Sequence, residues 1–224
     1  MDMAGREIEV PTKIEKVYAT ALTGTLLMYS FDEEKLCGIN INLTDDEKKY
    51  TSGHFQSLPV IGATAGKGQV ASPEEIMSIS PDIILAMGID DGSISEMDKL
   101  QETLNIPVIM VDGDIRNTLE TYKFLGELFD NKERAHELIE YTEKVFGDVN
   151  EIVEKIPESE RVKIYYAAGP AGLETGLKGS GNTETIDIAG GNNVAVGPKE
   201  EAKGRTEVTM EQVLNWDPEL IIVV

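Results

Sequence analysis

The sequence has little of the chemistry that most enzymes and bare-metal sites use. Its 224 residues include one cysteine, Cys37, and two histidines, His54 and His136. One cysteine forms no internal disulfide, and sites for bare transition-metal ions usually draw on several His or Cys ligands. No Ser/His/Asp or Cys/His set is evident. A paired-carboxylate site stays open among 41 acidic residues, but nothing in the composition demands an enzyme.

Positive charge and long apolar runs are also scarce. There are 20 Lys and Arg against 41 Asp and Glu, which gives a formal net charge of −21. This balance argues against anionic partners such as nucleic acid and acidic membrane surfaces. No apolar run approaches the ~18 residues of a membrane span. Residues 1–6 carry no apolar signal region, so an exported form is expected to have lost its signal.

One long amphipathic helix is predicted from Asn131 to Ile156. Apolar residues recur there every three or four positions, and charged residues occupy the opposite face. Asp130 and Glu133 are predicted to form a capping box at its start, and Pro157 to end it. At 1.5 Å per residue the helix would be roughly 39 Å long. A coiled-coil strand is the alternative, but the pattern is short and both flanks have an α/β pattern.

An internal repeat flanks this helix. The segment Ser72–Ala86 aligns without a gap with Thr209–Val223, at an offset of 137 residues. Each copy is predicted to be a short capped helix, a proline turn and an apolar strand. A weaker match pairs the strands that begin at Lys16 and Lys163. Two copies of one plan, joined by a long helix, indicate two similar lobes.

The predicted fold class is α/β, with two Rossmann-like lobes of mostly parallel sheet joined by the long α-helix. Strands alternate with helices along the chain, as parallel sheets require. The expected domains are an N-terminal lobe at 1–116, a helical connection at 117–156 that includes the helix at 131–156, and a partial C-terminal lobe at 157–224. The second lobe is expected to be incomplete, because nothing follows the core strand Leu220–Val224.

The individual elements follow from the same patterns. Predicted strands are Ile8–Val10, Val17–Ala19, Lys35–Ile41, Pro59–Gly62, Ile83–Met87, Pro107–Val111, Val162–Ala167 and Val194–Val196. Predicted helices are Leu22–Phe31, Ser95–Leu104, Asn117–Phe129 (with a capping box of Asn117 and Glu120) and Glu184–Ala189. The loops include Gly88–Gly92, and the polar stretch Asn42–Leu58 is expected to be irregular.

The glycine-rich loop Gly62–Gln69 resembles a phosphate-binding loop. Its spacing is one residue short, and Gly68 stands where a magnesium-binding Ser or Thr is needed. A flexible loop is therefore the preferred interpretation.

The repeat and the long helix together resemble the substrate-binding proteins of ABC importers for iron-siderophore, haem and cobalamin. Further motifs that carry the resemblance are Asp2–Pro11, Ser72–Asp82, Gly172–Ser180 and Ile188–Val194. The resemblance covers the whole chain. It implies two lobes with a cleft between them and modest hinge motion. It also implies export, either to a periplasm or as a lipid-anchored surface protein.

This resemblance implies a protein that captures a metal chelate and delivers it to an importer, with no catalysis and no cofactor. Iron-siderophore is the leading ligand, and haem and cobalamin are further candidates. The alternatives are an enzyme or chelatase on a similar fold, and a binder of a bare metal ion. Tyrosines offer flat faces and hydroxyls, and cationic side chains pair with an anionic chelate. The expected ligand contacts are Thr20, Thr23, Tyr50, His54, Phe55, Lys67, Gln69, Asp90, Arg116, Tyr166, Lys178, Asn182 and Arg205.

Glu74 and Glu211 are predicted to contact the importer. They occupy the same position in the two repeats, and each falls in the first turn of its helix. Glu75 and Gln212, one residue further on, are predicted to close the capping boxes, which leaves the preceding glutamates outward. The resemblance implies that such a pair meets arginines of two membrane subunits. The simpler alternative is that each acid only favours its helix dipole.

Overall fold

The computed structural model describes residues 1–64, 69–198 and 204–224. The chain divides into two compact units, Met1–Ile139 and Glu140–Val224. The finer boundaries expected at residues 116 and 156 stay a prediction.

The first unit is built around a three-stranded parallel sheet with the strand order β1-β2-β3. Its apolar strands alternate with helices, as the sequence pattern predicts. In chain order the elements are β1 (Val17–Ala19), α1 (Leu22–Asp32), α2 (Gly53–Ser57), α3 (Pro73–Ser78), β2 (Ile83–Met87), α4 (Asp91–Leu104), β3 (Val108–Val111) and α5 (Thr118–Leu128).

Both faces of this sheet are covered. Ile83 and Leu85 of β2 belong to one apolar cluster, together with residues of α1 and α5. Ile84 and Ala86 point to the opposite face and pack in a second cluster with residues of α3 and α4. Because successive strand residues face opposite sides, a strand covered on both faces has to be apolar throughout, as β2 is.

Several predicted strands of this unit are absent. Lys35–Ile41 is wrong as a strand, because Leu36 forms a single bridge to Val17 and Ile39 a single bridge to Val60. The chain thus changes partner within three residues and forms no ladder. The predicted strand Pro59–Gly62 is also wrong, because it forms only the single bridge between Val60 and Ile39. The predicted strand Ile8–Val10 has no strand partner.

Helix boundaries also differ from the prediction where side chains cap the backbone. Helix α4 begins at Asp91 instead of Ser95, since the Asp90 carboxylate accepts hydrogen bonds from the N–H groups of Gly92 and Ser93. The stretch expected to be irregular contains α2, which the Ser52 hydroxyl caps. The capping box predicted at Asn117 does not form, because its side-chain amide donates to Asp112 instead.

The long helix α6 runs unbroken from Lys132 to Val153, about 33 Å at 1.5 Å per residue. The prediction of one continuous helix is confirmed, and the division between the two units falls within it. Its start is corrected by one residue and its end by three, since the helix was predicted from Asn131 to Ile156. Asn131 accepts a hydrogen bond from the Arg134 N–H group, whereas Asp130 has a left-handed backbone that turns the chain before the helix.

The apolar stripe of α6 is less buried than its regular spacing predicts. Within the helix only Ala135 is buried. Phe146 and Val149 are half-buried, and Ile152 is 64% exposed. Spacing alone therefore identifies the apolar face but overestimates how much of it is covered.

The second unit repeats the parallel arrangement with the strand order β6-β4-β8 and adds a small antiparallel pair, β5-β7. Its elements after α6 are β4 (Lys163–Ala167), β5 (Glu174–Thr175), α7 (Glu184–Ile188), β6 (Asn192–Asn193), β7 (Thr206–Glu207), α8 (Met210–Trp216) and β8 (Leu220–Val223). The strand predicted at Val194–Val196 lies two residues earlier, where the chain pairs with the start of β4.

The structure confirms that the two sequence repeats fold alike. Strands β1 and β2 pair in parallel in the same register as β4 and β8, with Val17 opposite Ile83 and Ile164 opposite Leu220. The acid after each repeat proline performs the same task. Asp82 accepts a hydrogen bond from the Lys16 N–H group, and Glu219 accepts one from Lys163.

Candidate ligand-binding and docking surfaces

The carboxyl ends of β1, β2 and β3 converge at one edge of the first sheet. A methyl group at Gly24, in the first turn of α1, would lie 3.2 Å from the Ala19 Cβ at the end of β1. One at Gly113, after β3, would lie 3.6 Å from the Met87 side chain. Ligands of open α/β sheets bind beyond such strand ends. This edge is therefore the candidate ligand surface of the first unit.

Thr20 and Thr23 lie at this edge. Thr20 is buried, and its carbonyl accepts a hydrogen bond from the Thr64 N–H group at 2.9 Å. Thr23 is exposed in the first turn of α1. No side chain caps that helix start, so its N–H groups retain the partial positive charge that favours anions.

Asn40 organises the same edge, and sequence reasoning missed it. Its buried amide donates to the Ala19 carbonyl at 2.9 Å and to the Gly62 carbonyl at 2.8 Å. The Tyr18 hydroxyl donates to the same Gly62 oxygen, and burial raises the pKa of Tyr18, so this phenol stays protonated. The available signal was one amide inside the apolar run 36–41.

The glycine-rich loop begins with a constrained turn. Gly62 has a φ of +99°, and a Cβ there would lie 2.5 Å from the Gln69 carbonyl oxygen, so a larger residue does not fit. The Gln69 amide donates to the Ile61 carbonyl at 3.3 Å. Lys67, a predicted ligand contact, lies outside the described residues.

Asp90 and Arg116 follow β2 and β3, respectively. The Asp90 carboxylate caps α4 and also accepts the Ser93 hydroxyl at 2.7 Å, so its geometry is explained by the helix. Arg116 lies 3.5 Å from the Asp114 carboxylate, and half of its side chain is exposed. Of these two residues, Arg116 is the one with a half-exposed cationic side chain.

Tyr50, His54 and Phe55 are not brought to this edge. They lie at the opposite end of α1, where the His54 imidazole is 3.7 Å from Glu34 and the Tyr29 hydroxyl donates to the Tyr50 carbonyl. Phe55 is only 3% exposed and packs edge-on against Tyr29. Packing therefore accounts for Phe55, whereas the Tyr50 side chain is 85% exposed and the buried His54 Nε2 has no hydrogen-bond partner among the described residues.

In the second unit, two of the predicted ligand contacts, Tyr166 and Arg205, lie against each other. The Arg205 guanidinium donates to the Tyr166 hydroxyl at 3.4 Å and lies 6.0 Å from the centre of its ring. Tyr166 is half-buried and Arg205 exposed. A guanidinium held against a phenol forms a flat surface of positive charge.

Lys178 and Asn182 lie on an ordered loop of the second unit. Lys178 donates to the Asn192 side chain at 3.1 Å, and Asn182 is exposed. The loop is fixed from below by the Thr183 hydroxyl, which donates to the Leu177 carbonyl, and by Asn193, which donates to the Gly176 carbonyl. Both candidate side chains are thus carried on a rigid backbone.

The repeat helices have the caps that the sequence predicts. Ser72 and Glu75 form a complete capping box on α3, and Thr209 and Gln212 form one on α8. Glu74 and Glu211 are exposed and take no part in these boxes. The outward placement of the two acids is confirmed, while their docking role stays a prediction.

The second unit also contains an apolar groove of about 350 Å³. Ile156, Ile164, Ile186 and Ile222 are among the side chains that line it, and none of the predicted ligand contacts does. Glu160 and Arg161 also line it, and their opposite charges leave the groove without a net positive charge for an anion.

Metal-ligand chemistry is sparse in residues 1–64, 69–198 and 204–224. No group of three or more His, Cys, Asp or Glu side chains in them has the geometry to hold a metal ion. Burial raises the pKa of Cys37 to about 11, so it remains a thiol, and it donates to the Val17 carbonyl. In the same part of the chain, no helix has both the length and the apolar character to cross a membrane.

Two α/β units with one repeated plan, each carrying polar loops at its strand ends, have the fold of a two-lobed solute-binding protein. The chain belongs to the periplasmic binding protein family, whose model matches residues 39–224. It is 31% identical to an ABC transporter solute-binding protein from Sulfurospirillum deleyianum, with a TM-score of 0.88 over 99% of this chain and 70% of that one.

More distant relatives have known ligands. The chain is 22% identical to the molybdate-binding protein MolA of Haemophilus influenzae, over 99% of this chain and 67% of that protein. The vitamin B12-binding protein BtuF of Vibrio cholerae is 17% identical, with a TM-score of 0.72 over 95% of this chain and 77% of that one. The protein is therefore an extracytoplasmic solute-binding component of an ABC transporter, not an enzyme.

Proposed function

We propose that the protein captures an anion that carries a metal, with a ferric-siderophore chelate as the leading candidate. The observation that supports this most is the Tyr166–Arg205 pair, because it combines a flat aromatic face with an exposed guanidinium beside it. Lys178 in the second unit, together with Arg116 and the uncapped start of α1 in the first, adds positive charge at strand ends. An otherwise strongly acidic chain thus has cationic groups at its candidate ligand surfaces.

An oxyanion such as molybdate is the second candidate. The relatedness to the molybdate-binding protein extends over 99% of this chain. The small and hydroxyl-bearing residues at the first sheet edge, Thr20 and Thr23, suit a compact anion. Haem and cobalamin need larger apolar contact surfaces, and Tyr50 and Phe55, which would supply them, lie at the other end of α1.

Calorimetric titration tests this function. The unmodified protein would be titrated with a ferric catecholate siderophore, molybdate, haem, cobalamin and uncomplexed ferric ion. We expect Arg205→Gln to weaken binding of the anionic ligand by roughly tenfold or more, as for loss of a charge-assisted contact. Lys144→Gln, which removes one positive charge on the exposed face of α6, should leave affinity unchanged. Equal loss in both variants, or binding of uncomplexed ferric ion alone, would contradict the proposal.

We propose in addition that Glu74 and Glu211 dock the protein onto the importer's membrane subunits. Two exposed acids at equivalent positions suit bidentate pairing with arginine. Reversal of both charges to lysine should leave ligand affinity intact and abolish transport and stimulation of ATPase activity. The control is reversal of Glu102 and Glu143, two exposed acids on α4 and α6. Normal uptake with the Glu74/Glu211 double variant would end the docking proposal.

A further inference from the structure

An exposed aliphatic side chain accompanies each proposed docking glutamate. Met77 on α3 is 46% exposed and Leu214 on α8 is 71% exposed. They are equivalent positions of the repeat, as Glu74 and Glu211 are. A single exposed apolar residue is ordinary on a protein surface. The same acid and aliphatic residue at the same spacing in both copies is a pattern that folding alone does not require.

The helix geometry places the two members of each pair on one face. Met77 follows Glu74 by three residues, and Leu214 follows Glu211 by three, so their Cβ atoms lie about 5–6 Å apart. The opposite faces are anchored by Ile76, which is 1% exposed, and Val213, which is 7% exposed. Each short helix is thus fixed by its buried face and presents the acid and the aliphatic side chain together to solvent.

One side-chain type satisfies both members of such a pair. An arginine pairs its planar guanidinium with a carboxylate through two hydrogen bonds. Its three-carbon stem is apolar and lies along aliphatic surface when the charged end is engaged. A lysine offers a point charge without the planar fork, and an acidic or neutral partner offers no charge complement to this chain of net charge −21.

We propose that α3 and α8 each present a two-part docking element, Glu74 with Met77 and Glu211 with Leu214, that receives one arginine of an importer membrane subunit. This inference rests on the proposed docking role of the glutamates and adds the apolar half. The carboxylate provides attraction and orientation. The aliphatic residue excludes water from the ion pair and slows dissociation.

The test measures binding of the 224-residue protein to the importer's purified membrane subunits at several salt concentrations. We expect Met77→Ser with Leu214→Ser to weaken binding about tenfold, mainly through faster dissociation, with an unchanged salt dependence. Glu74→Gln with Glu211→Gln should weaken binding further and flatten the salt dependence. The double variant Met77→Leu with Leu214→Met should bind as the wild type does, because both positions keep an aliphatic side chain.

The control replaces two other exposed aliphatic residues, Val10→Ser and Ile152→Ser, one in each unit. It should bind as the wild type does. Wild-type binding by the Met77/Leu214 serine variant, with loss in the glutamine variant, would overturn the two-part element and leave the docking role standing. Wild-type binding by the glutamine variant would overturn the docking role itself.

Discussion

Strands β2 and β8 are the equivalent strands of the two sequence repeats, but they differ in how far they are buried. Both pair in parallel with the first strand of their unit in the same register. Ile84 of β2 is fully buried, whereas its equivalent in β8, Ile221, is 53% exposed. The difference arises because β2 lies between β1 and β3 with helices on both faces, while β8 is at an edge of its described sheet. The repeat thus specifies pairing and caps, and the neighbours determine burial.

The edges of the two sheets differ as well. The outer edge of β3 is covered by the N-terminal segment, whose Met3 N–H donates to the Met110 carbonyl. The Asp2 carboxylate accepts from the Met110 N–H and forms an ion pair with Arg6 at 2.7 Å. Uncovered edges invite pairing with other chains, so this segment protects the first unit.

The largest loss of stability is expected when the N-terminal segment loses its contacts with the outer edge of β3. Asp2→Ala should destabilise the first unit by about 4 kcal/mol, because it removes a fully buried carboxylate that pairs with Arg6 and accepts the Met110 N–H group, and leaves Arg6 with Asp98 as its exposed acidic partner. Urea unfolding monitored by circular dichroism measures the loss. Asp98→Ala removes the exposed partner of the same arginine and should cost less than about 1 kcal/mol. Equal costs for the two variants would show that burial of the pair is unimportant.

The strand comparison itself is tested by matched truncations. Ile84→Ala should cost about 3 kcal/mol, since the site is fully buried and a cavity remains. Ile221→Ala should cost less than about 1 kcal/mol at its half-exposed position. Unfolding free energies from urea titration provide the values. A cost for Ile221→Ala as large as that for Ile84→Ala would mean that β8 is covered in solution.

Removal of the N-cap side chain should cost the same stability in the two units, unlike truncation of the equivalent strand residues. Ser72→Ala and Thr209→Ala each remove the side chain that accepts the N–H group of the third helical residue. Each is expected to cost about 1 kcal/mol. Ser95→Ala serves as a control inside α4 and should change stability by less than about 0.5 kcal/mol. If the stability costs of the two cap variants differed by as much as those of Ile84→Ala and Ile221→Ala, burial would control the caps as well.

The smallest expected effect is a pH dependence of stability at the start of α3 that the start of α8 lacks. Hydrogen bonds from the Ser72 N–H and hydroxyl lower the pKa of Glu75, so the folded state favours its carboxylate. The stabilisation is present at neutral pH and is lost as the pH falls through this lowered pKa. Gln212 fills the same place on α8 and does not titrate. Amide hydrogen exchange should therefore show acid fraying at the start of α3, and equal acid sensitivity in α8 would contradict this account.

Much of the fold could be predicted because the decisive signals are local. β1 and β2 have the predicted bounds, and both capping boxes form at the predicted residues. Lys35–Ile41 could not be resolved in this way, since its composition is that of a strand and only the change of partner between Leu36 and Ile39 prevents a ladder.

The candidate site was less accessible to prediction. The contact between Tyr166 and Arg205 was not predicted, since each was proposed separately as a ligand contact. Tyr50 and His54 lie at the far end of α1, because contacts with Tyr29 and Glu34 fix their loop there. Such contacts join segments about 20 residues apart and leave no periodic signal. Asn40 was missed for the same reason, since its importance comes from two backbone carbonyls distant in sequence.

Native mass spectrometry is the most direct test of the central claim that the protein carries a metal-bearing anion. The 224-residue protein would be mixed with ferric siderophores, molybdate, haem, cobalamin and uncomplexed metal ions in competition. We expect one intact metal-containing anion to be retained at one copy per protein and released unchanged on denaturation. Retention of uncomplexed metal ions alone, chemical conversion of the ligand, or no complex with any metal-bearing anion would contradict the claim.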